Sequence, residues 1–237
     1  MPTIPRLSLL LAAMAAVVAT ASGANLGAFT DHGDVGTLAR PGTATYDAAR
    51  QTYTVGASGG NMWFAKDAMH FVWRRASGDL SIAAAIGFVG TSAQGHRKAC
   101  LMIRQNLTPG SPYVDVAQHG DGLTSLQFRE TQDGPTKEIQ ANVAGPARVR
   151  LDRIGDTIFL SLAKAGEPPH PSGASFTVRM TGDCYVGLAV CAHDDNAFET
   201  AVFSAVDIGA ADAAAAVPQP QLKIITLPSG DRRVSER

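Results

Sequence analysis

Between residues 97 and 131 apolar and polar side chains alternate in three short runs. Leu101 and Ile103 alternate with Met102 and Arg104, Val114 and Val116 with Tyr113, Asp115 and Ala117, and Leu126 and Phe128 with Ser125, Gln127 and Arg129. Side chains on a strand point to opposite faces with period two. The spacing therefore predicts a three-strand antiparallel meander with one aliphatic face and one carrying Arg104, Asp115, Gln127 and Arg129. Residues 106–112 and 119–122, rich in Asn, Pro, Gly and Asp, supply the turns between the runs.

The same pattern extends in both directions. Upstream, DVGTL, ATYDA, TYTVGA, NMWFA and MHFVWRR are short extended segments punctuated by Gly33, Pro41-Gly42 and Gly59-Gly60-Asn61. Phe71 and Trp73 share one face of the last of these, and His70, Val72 and Arg74 the other. Leu80 to Phe88 is a short run of small apolar residues bounded by Gly78-Asp79 and Gly90, which favours a buried strand over a helix. Downstream, ARVRLDRIGDTIFLSLA reads as a hairpin turning at Gly155-Asp156, and residues 183–192 and 199–208 add two more strands. Helical periodicity is absent from this region. Short strands at such regular spacing point to an all-β sandwich, and its length suits one domain.

The two ends read differently. Residues 1–21 combine Arg6, an apolar run from Leu9 to Ala19 and a small-residue Ala-Thr-Ala site, the signature of a signal peptide for export to the periplasm or beyond. The run is shorter than the roughly 20 residues a membrane span needs, and the mature chain has no other candidate. Residues 209–220 form an Ala/Pro-rich linker, and residues 221–237 read as a lone hairpin around Pro228-Ser229-Gly230-Asp231.

Charge and cysteine content narrow the function. The chain has 20 basic and 21 acidic residues; removing Arg6 with the leader leaves 19 against 21, a net charge near −2. The basic residues are scattered, which argues against a nucleic-acid partner. Cys100, Cys184 and Cys191 allow at most one disulfide. Cys184 and Cys191 are seven apart on one predicted strand and so point to opposite faces, leaving a bridge from Cys100 to one of them or three buried thiols as the alternatives. No Cys or His spacing suggests a metal, and no motif suggests a cofactor.

Candidate ligand contacts fall into two groups. Trp63, Asp67, His70 and Trp73 bring aromatic rings and polar groups together, the apparatus that grips a sugar, although alternating Trp and Phe also build cores. The polar meander face, with Arg104, Asp115, Gln127, Arg129 and Arg150 rimmed by His119, Asp121, Trp63 and His70, is expected to hydrogen-bond a glycan or to stand as a solvated face of paired charges. If the arginines bind ligand, their loss leaves thermal stability nearly unchanged.

Taken in series, GNMWFAKDAMHFVW, SGDLSIAAAI, KACLMIRQ, SPYVDVAQHGDGLTSLQFRET, ARVRLDRIGD, YVGLAVCAHD and AVFSAVDI resemble the concanavalin A-like jelly-roll domains of secreted bacterial proteins that often precede a TolB-like propeller. The resemblance covers residues 28–208, although Cys100 stands where such sequences are expected to carry Gly. It implies two curved antiparallel sheets packed face to face, and makes residues 221–237 look like the opening of a propeller blade. Some jelly rolls are glycoside hydrolases, whose paired carboxylates stand about 5 to 9 Å apart. The E-x-D-x-x-E run of laminarinase-like members is missing, and Glu130, Glu138, Glu167 and Glu199 lack acidic partners at that spacing. His193-Asp194-Asp195 reads as turn chemistry rather than a base or cation site. The expectation is an exported, non-catalytic module for a glycan or envelope polymer; the alternatives are an interaction domain for a TolB-like biopolymer-transport propeller and a glycoside hydrolase-like enzyme.

Overall fold

A computed structural model describes residues 25–216 of the protein. The expected signal peptide (1–21) and terminal hairpin (221–237) lie outside the described residues, and the linker (209–220) lies partly outside them. Fourteen strands follow in chain order: β1 (Asp31–Val35), β2 (Thr43–Asp47), β3 (Thr52–Ala57), β4 (Met69–Ala76), β5 (Leu80–Phe88), β6 (Lys98–Arg104), β7 (Tyr113–His119), β8 (Thr124–Arg129), β9 (Thr136–Gln140), β10 (Arg148–Ile154), β11 (Thr157–Ala163), β12 (His170–Thr177), β13 (Cys184–Cys191) and β14 (Glu199–Gly209). They form two seven-stranded antiparallel sheets, one in the order β1-β4-β13-β6-β7-β8-β9 and the other in the order β12-β11-β10-β5-β14-β3-β2. The only helical turn among the described residues is a 3-10 turn at Ala213–Ala215.

The meander is present as β6, β7 and β8, and its aliphatic face forms the core. Leu101, Ile103, Val114, Val116, Leu126 and Phe128 are fully buried against Ile82, Leu151, Leu160 and Phe203 of the opposite sheet. Phe128 stacks on Phe176 of β12 with ring centroids 3.5 Å apart, tying the sheets together at one end. In β14 the alternation changes phase. Ala201 and Phe203 face the core, but a bulge between Ser204 and Asp207, with Ala205 at φ 48°, hands the inward role to Val206 and Ile208.

Two segments depart from the pattern. Residues 61–65, NMWFA, form a loop rather than a strand, with one isolated β-bridge, between Met62 and Asp67, as their ladder pairing among the described residues. The other face of the first sheet is not open to solvent either. All seven residues of β6 are buried, because Cys100 and Met102 on its outer side belong to a second apolar cluster with Val35, Met62, Met69, Phe71 and Tyr113. Met62, at the base of the loop, is the plug that closes this cluster.

The three cysteines are free and buried. Cys184 faces the inter-sheet core, whereas Cys191 and Cys100 face the outer cluster, so the opposite-face expectation for Cys184 and Cys191 holds.

Candidate functional site

The loop of residues 59–68 builds the site. It folds back on itself through the Ala68 amide, which donates to the Asn61 carbonyl at 2.8 Å, and it is pinned outward by the Asp67 amide donating to the Pro109 carbonyl at 2.8 Å. Glycines make the approach feasible at two places. Gly36 (φ 79°) would put a Cβ 2.1 Å from the Asp67 carbonyl oxygen, and Gly59 (φ 110°) would put one 2.3 Å from that of Ala68. Larger residues would push the loop off the sheet.

Beneath the loop lies a fully buried ionic cluster. Arg129 donates from Nη2 to Asp67 Oδ1 at 2.7 Å and from Nη1 to Oδ2 at 3.1 Å, and Arg104 Nη2 reaches the same Oδ2 at 3.2 Å. Arg129 also donates from Nη2 to the carbonyls of Trp63 (2.8 Å) and Phe64 (3.0 Å), while Thr136 Oγ1 donates to Phe64 at 3.0 Å. This clamp holds Phe64 at φ 27°, a region side-chain-bearing residues rarely adopt, and turns its ring outward, 46% exposed.

The clamp corrects the sequence-based expectation for the meander face. Arg104, Asp115, Gln127 and Arg129 do share one face, but all four are buried, and the two arginines are partners of Asp67 rather than solvated. Alternation assigns a side chain to a face; it does not reveal that a distant loop covers that face. Arg150 is on the other sheet, paired with Asp152 through Nε–Oδ2 (2.8 Å) and Nη2–Oδ1 (2.7 Å). His70 is buried away from this face, its Nδ1 2.6 Å from Asp34 Oδ1 and its Nε2 2.9 Å from His32 Nδ1. Asp121 lies in an exposed turn, its Oδ2 3.3 Å from His96 Nδ1. Trp73 stacks on Phe71, on the apolar part of the face.

Between the loop tip and the start of β6 lies a cleft of about 860 Å³. Trp63, Phe64 and Lys66 wall it on the loop side, Lys98, Gln127 and Glu138 line its floor, and His96, His193 and Asp195 stand opposite. Lys98 is 1% exposed. Its Nζ donates to Asn61 Oδ1 (2.8 Å), Gln127 Oε1 (3.2 Å) and the Met62 carbonyl (3.3 Å), and lies 5.2 Å from the centre of the Trp63 ring. Glu138 accepts from Gln140 Nε2 at 2.9 Å and from Gln127 Nε2 at 3.4 Å.

Two buried groups behind the floor are electrically unusual. Both carboxyl oxygens of Asp115 lack a hydrogen-bond partner, and burial pushes the group well above the usual carboxylate range despite the opposing pull of Lys98. His119 faces Lys98 across the strand pair; its Nδ1 is 3.0 Å from the Leu123 carbonyl, and its Nε2 is unpartnered. Burial, reinforced by Lys98, lowers its pKa to about 3, so it is neutral, with Nδ1–H donating.

No family model matches the chain, and no curated protein sequence matches it. Among solved structures it is similar to a functionally unknown protein from Saccharomyces cerevisiae, with TM-score 0.56 and 14% identity over 73% of this chain and 98% of that one. Alginate lyase A1-II', a member of polysaccharide lyase family-7, gives TM-score 0.47 at 10% identity over 71% of this chain and 83% of that one. A lectin from Bauhinia forficata in complex with GalNAc gives 0.47 at 8% identity over 71% and 90%. The fold is a two-sheet antiparallel β-sandwich, shared with the yeast protein. At these identities the likeness concerns fold, and the ligand has to be argued from the residues.

Of the expected site residues, the sandwich places Trp63, Asp67 and Gln127 on the cleft, and His119 opposite Lys98 on the neighbouring strand. Sequence reasoning missed Lys98, His96, Phe64 and Glu138 as site residues. Lys98 and Glu138 each carried a signal, since period two puts Lys98 on the Arg104 side of β6 and Glu138 two residues from Thr136 on a short polar strand. His193 sits at φ 60° beside the cleft, and Asp194 Oδ1 accepts the Asn196 amide at 2.9 Å, the turn chemistry expected of that segment.

Proposed function

We propose that this protein is an exported, non-catalytic carbohydrate-binding jelly roll that holds a glycan in the cleft beside the 59–68 loop. The observation that carries the reading is Phe64, a large apolar ring held outward on a strained backbone beside Trp63, above a floor of hydrogen-bonding side chains. Apolar rings stack on the C–H faces of a sugar, and amide, ammonium and carboxylate groups below them satisfy its hydroxyls. Strain of this kind costs about 1 to 3 kcal/mol and persists where a surrounding network enforces it, here the Arg129 clamp.

The non-catalytic part rests on the acids. Asp67 is held by two guanidinium groups and Glu138 by two amides, so neither is poised as a nucleophile or proton donor. The test is a glycan array probed with the mature chain and with Trp63→Ala. Losing a buried aromatic anchor costs roughly 2 kcal/mol, about thirtyfold in affinity. Binding by the parent that falls by that factor in the variant, with an unchanged melting midpoint, supports the reading. Equal binding by both proteins, or none by either, refutes it.

A further inference from the structure

The charges under the cleft do not balance. Arg104, Arg129 and Lys98 are buried on the outer face of the first sheet together with three acids, Asp67, Asp115 and Glu138. Asp67 serves both arginines. Asp115 has no hydrogen-bond partner on either oxygen and no exposed surface, and burial raises its carboxyl well above the usual carboxylate range against the pull of Lys98 and Arg129, which favours the neutral acid over an unpaired buried charge. Three cations therefore face two anions, Asp67 and a Glu138 held by the Gln127 and Gln140 amides rather than by a cation. The protein as a whole is slightly acidic, so the excess belongs to this floor and not to the surface in general.

Lys98 is where that excess meets the cleft. Its three ammonium hydrogens go to neutral oxygens, those of Asn61, Met62 and Gln127, and among the described residues it has no carboxylate within ion-pair distance. Of the acids lining the cleft, Asp67 is taken up by the arginines, while Asp195 stands beside Gly60 and Glu138, on β9, shares the floor but is bonded to Gln127 and Gln140. A ligand that places one carboxylate on the floor and hydroxyls toward these two acids would complete the charge balance. A densely sulfated chain would bring its charges against Asp195 and Glu138 as well.

Resting on the carbohydrate-binding reading above, we propose that the glycan is a uronic-acid polymer whose carboxylate is received at Lys98. The carboxylate replaces one of the neutral oxygens around the ammonium, while the sugar ring stacks on Trp63 and Phe64.

Binding of the mature chain to a panel of polyuronates is measured beside each polymer's carboxyl-reduced counterpart, which keeps the backbone and removes the charge. Dextran sulfate serves as the polyanion control. A charge-assisted contact predicts about tenfold or more tighter binding of at least one polyuronate over its reduced form. In Lys98→Gln, which keeps a hydrogen-bonding group without the charge, that ratio falls to near one while binding of the reduced polymer persists; because both polymers are compared on one variant, any loss of stability cancels. Equal binding of polyuronate and reduced polymer by the parent overturns the uronate assignment and leaves the carbohydrate reading standing. Tighter binding of dextran sulfate than of every polyuronate overturns it in favour of unspecific polyanion attraction. Absence of binding to every polymer, charged and neutral, overturns both.

Discussion

Replacing Asp67 with Ala removes the one anion that two buried arginines share. Both guanidinium groups are fully buried, with Arg129 at 2.7 and 3.1 Å and Arg104 at 3.2 Å from the carboxylate. Their desolvation cost remains after the partner is gone, and breaking a buried pair in this way typically costs about 3 to 5 kcal/mol. For a domain of this size each kcal/mol lowers the melting midpoint by about 2 to 4 °C, so a fall of roughly 6 to 20 °C is expected. Arg104→Met should cost less, because Asp67 keeps Arg129 and the new side chain joins Met69 and Met102, which already lie 3.9 and 3.8 Å from Arg104 Nη1. Differential scanning fluorimetry with urea titration separates these cases. An Asp67→Ala midpoint within about 1 °C of the parent would show that the clamp does not hold the loop on the sheet, and the same reasoning about Phe64 would fail with it. The expectation that arginine removal on this face leaves stability unchanged is thereby reversed.

A second outcome concerns acid. The unfolded His119 titrates near its ordinary 6.5 and the folded one near 3, so between these values the unfolded state holds the extra proton; the stability present above pH 6.5 is lost as pH falls towards 3, on the order of 4 kcal/mol in all. His119→Asn, which can still donate to Leu123, should flatten that part of a pH–stability curve measured by urea unfolding; an unchanged slope would count against a buried neutral imidazole. Gly36→Ala, at φ 79° with its Cβ driven to 2.1 Å from the Asp67 carbonyl oxygen, should lower the midpoint by several degrees, whereas Gly78→Ala, with φ 70° but open space around it, should cost less; equal losses would place the penalty in the backbone alone. Incubation with β-glucans and polyuronates should release no reducing ends and no unsaturated products above a heat-treated control, and turnover would remove the non-catalytic reading. N-terminal sequencing of fractionated protein should find a mature start near Ser22, and an intact Met1 in the cytoplasm would remove the export reading.

The sandwich was readable because its strands are written in period two with turn residues between them. The meander and the 148–163 hairpin lie where the alternation puts them, and Leu80–Phe88 where a short apolar run bounded by turn residues puts a strand. Two strands escaped it for local reasons. β9 is five residues long with one aliphatic side chain, Ile139, and β12 contains Pro171 and Gly173, residues that weaken a strand pattern. The site was less legible. Residues 61–65 have strand-like composition, and their loop geometry is imposed by contacts with Arg129 and Thr136, more than 60 positions away. The same contacts explain why arginines that alternate with core residues are not on the surface. Trp63 could be proposed from its residue type; Lys98 could not be given its role without seeing that its neighbours supply oxygens but no carboxylate.

The chain has two tryptophans, Trp63 on the cleft and Trp73 stacked on Phe71 on the apolar part of the same face, so their indole N–H signals report two places on one sheet. Nitrogen–proton correlation spectra, assigned with Trp63→Phe, should be recorded while the mature chain is titrated with the tightest-binding glycan of the panel. A ligand in the cleft moves the Trp63 signal in a saturable way and leaves that of Trp73 in place; a Trp63 signal unmoved at saturation, whether or not Trp73 responds, contradicts the assignment of the cleft as the binding site.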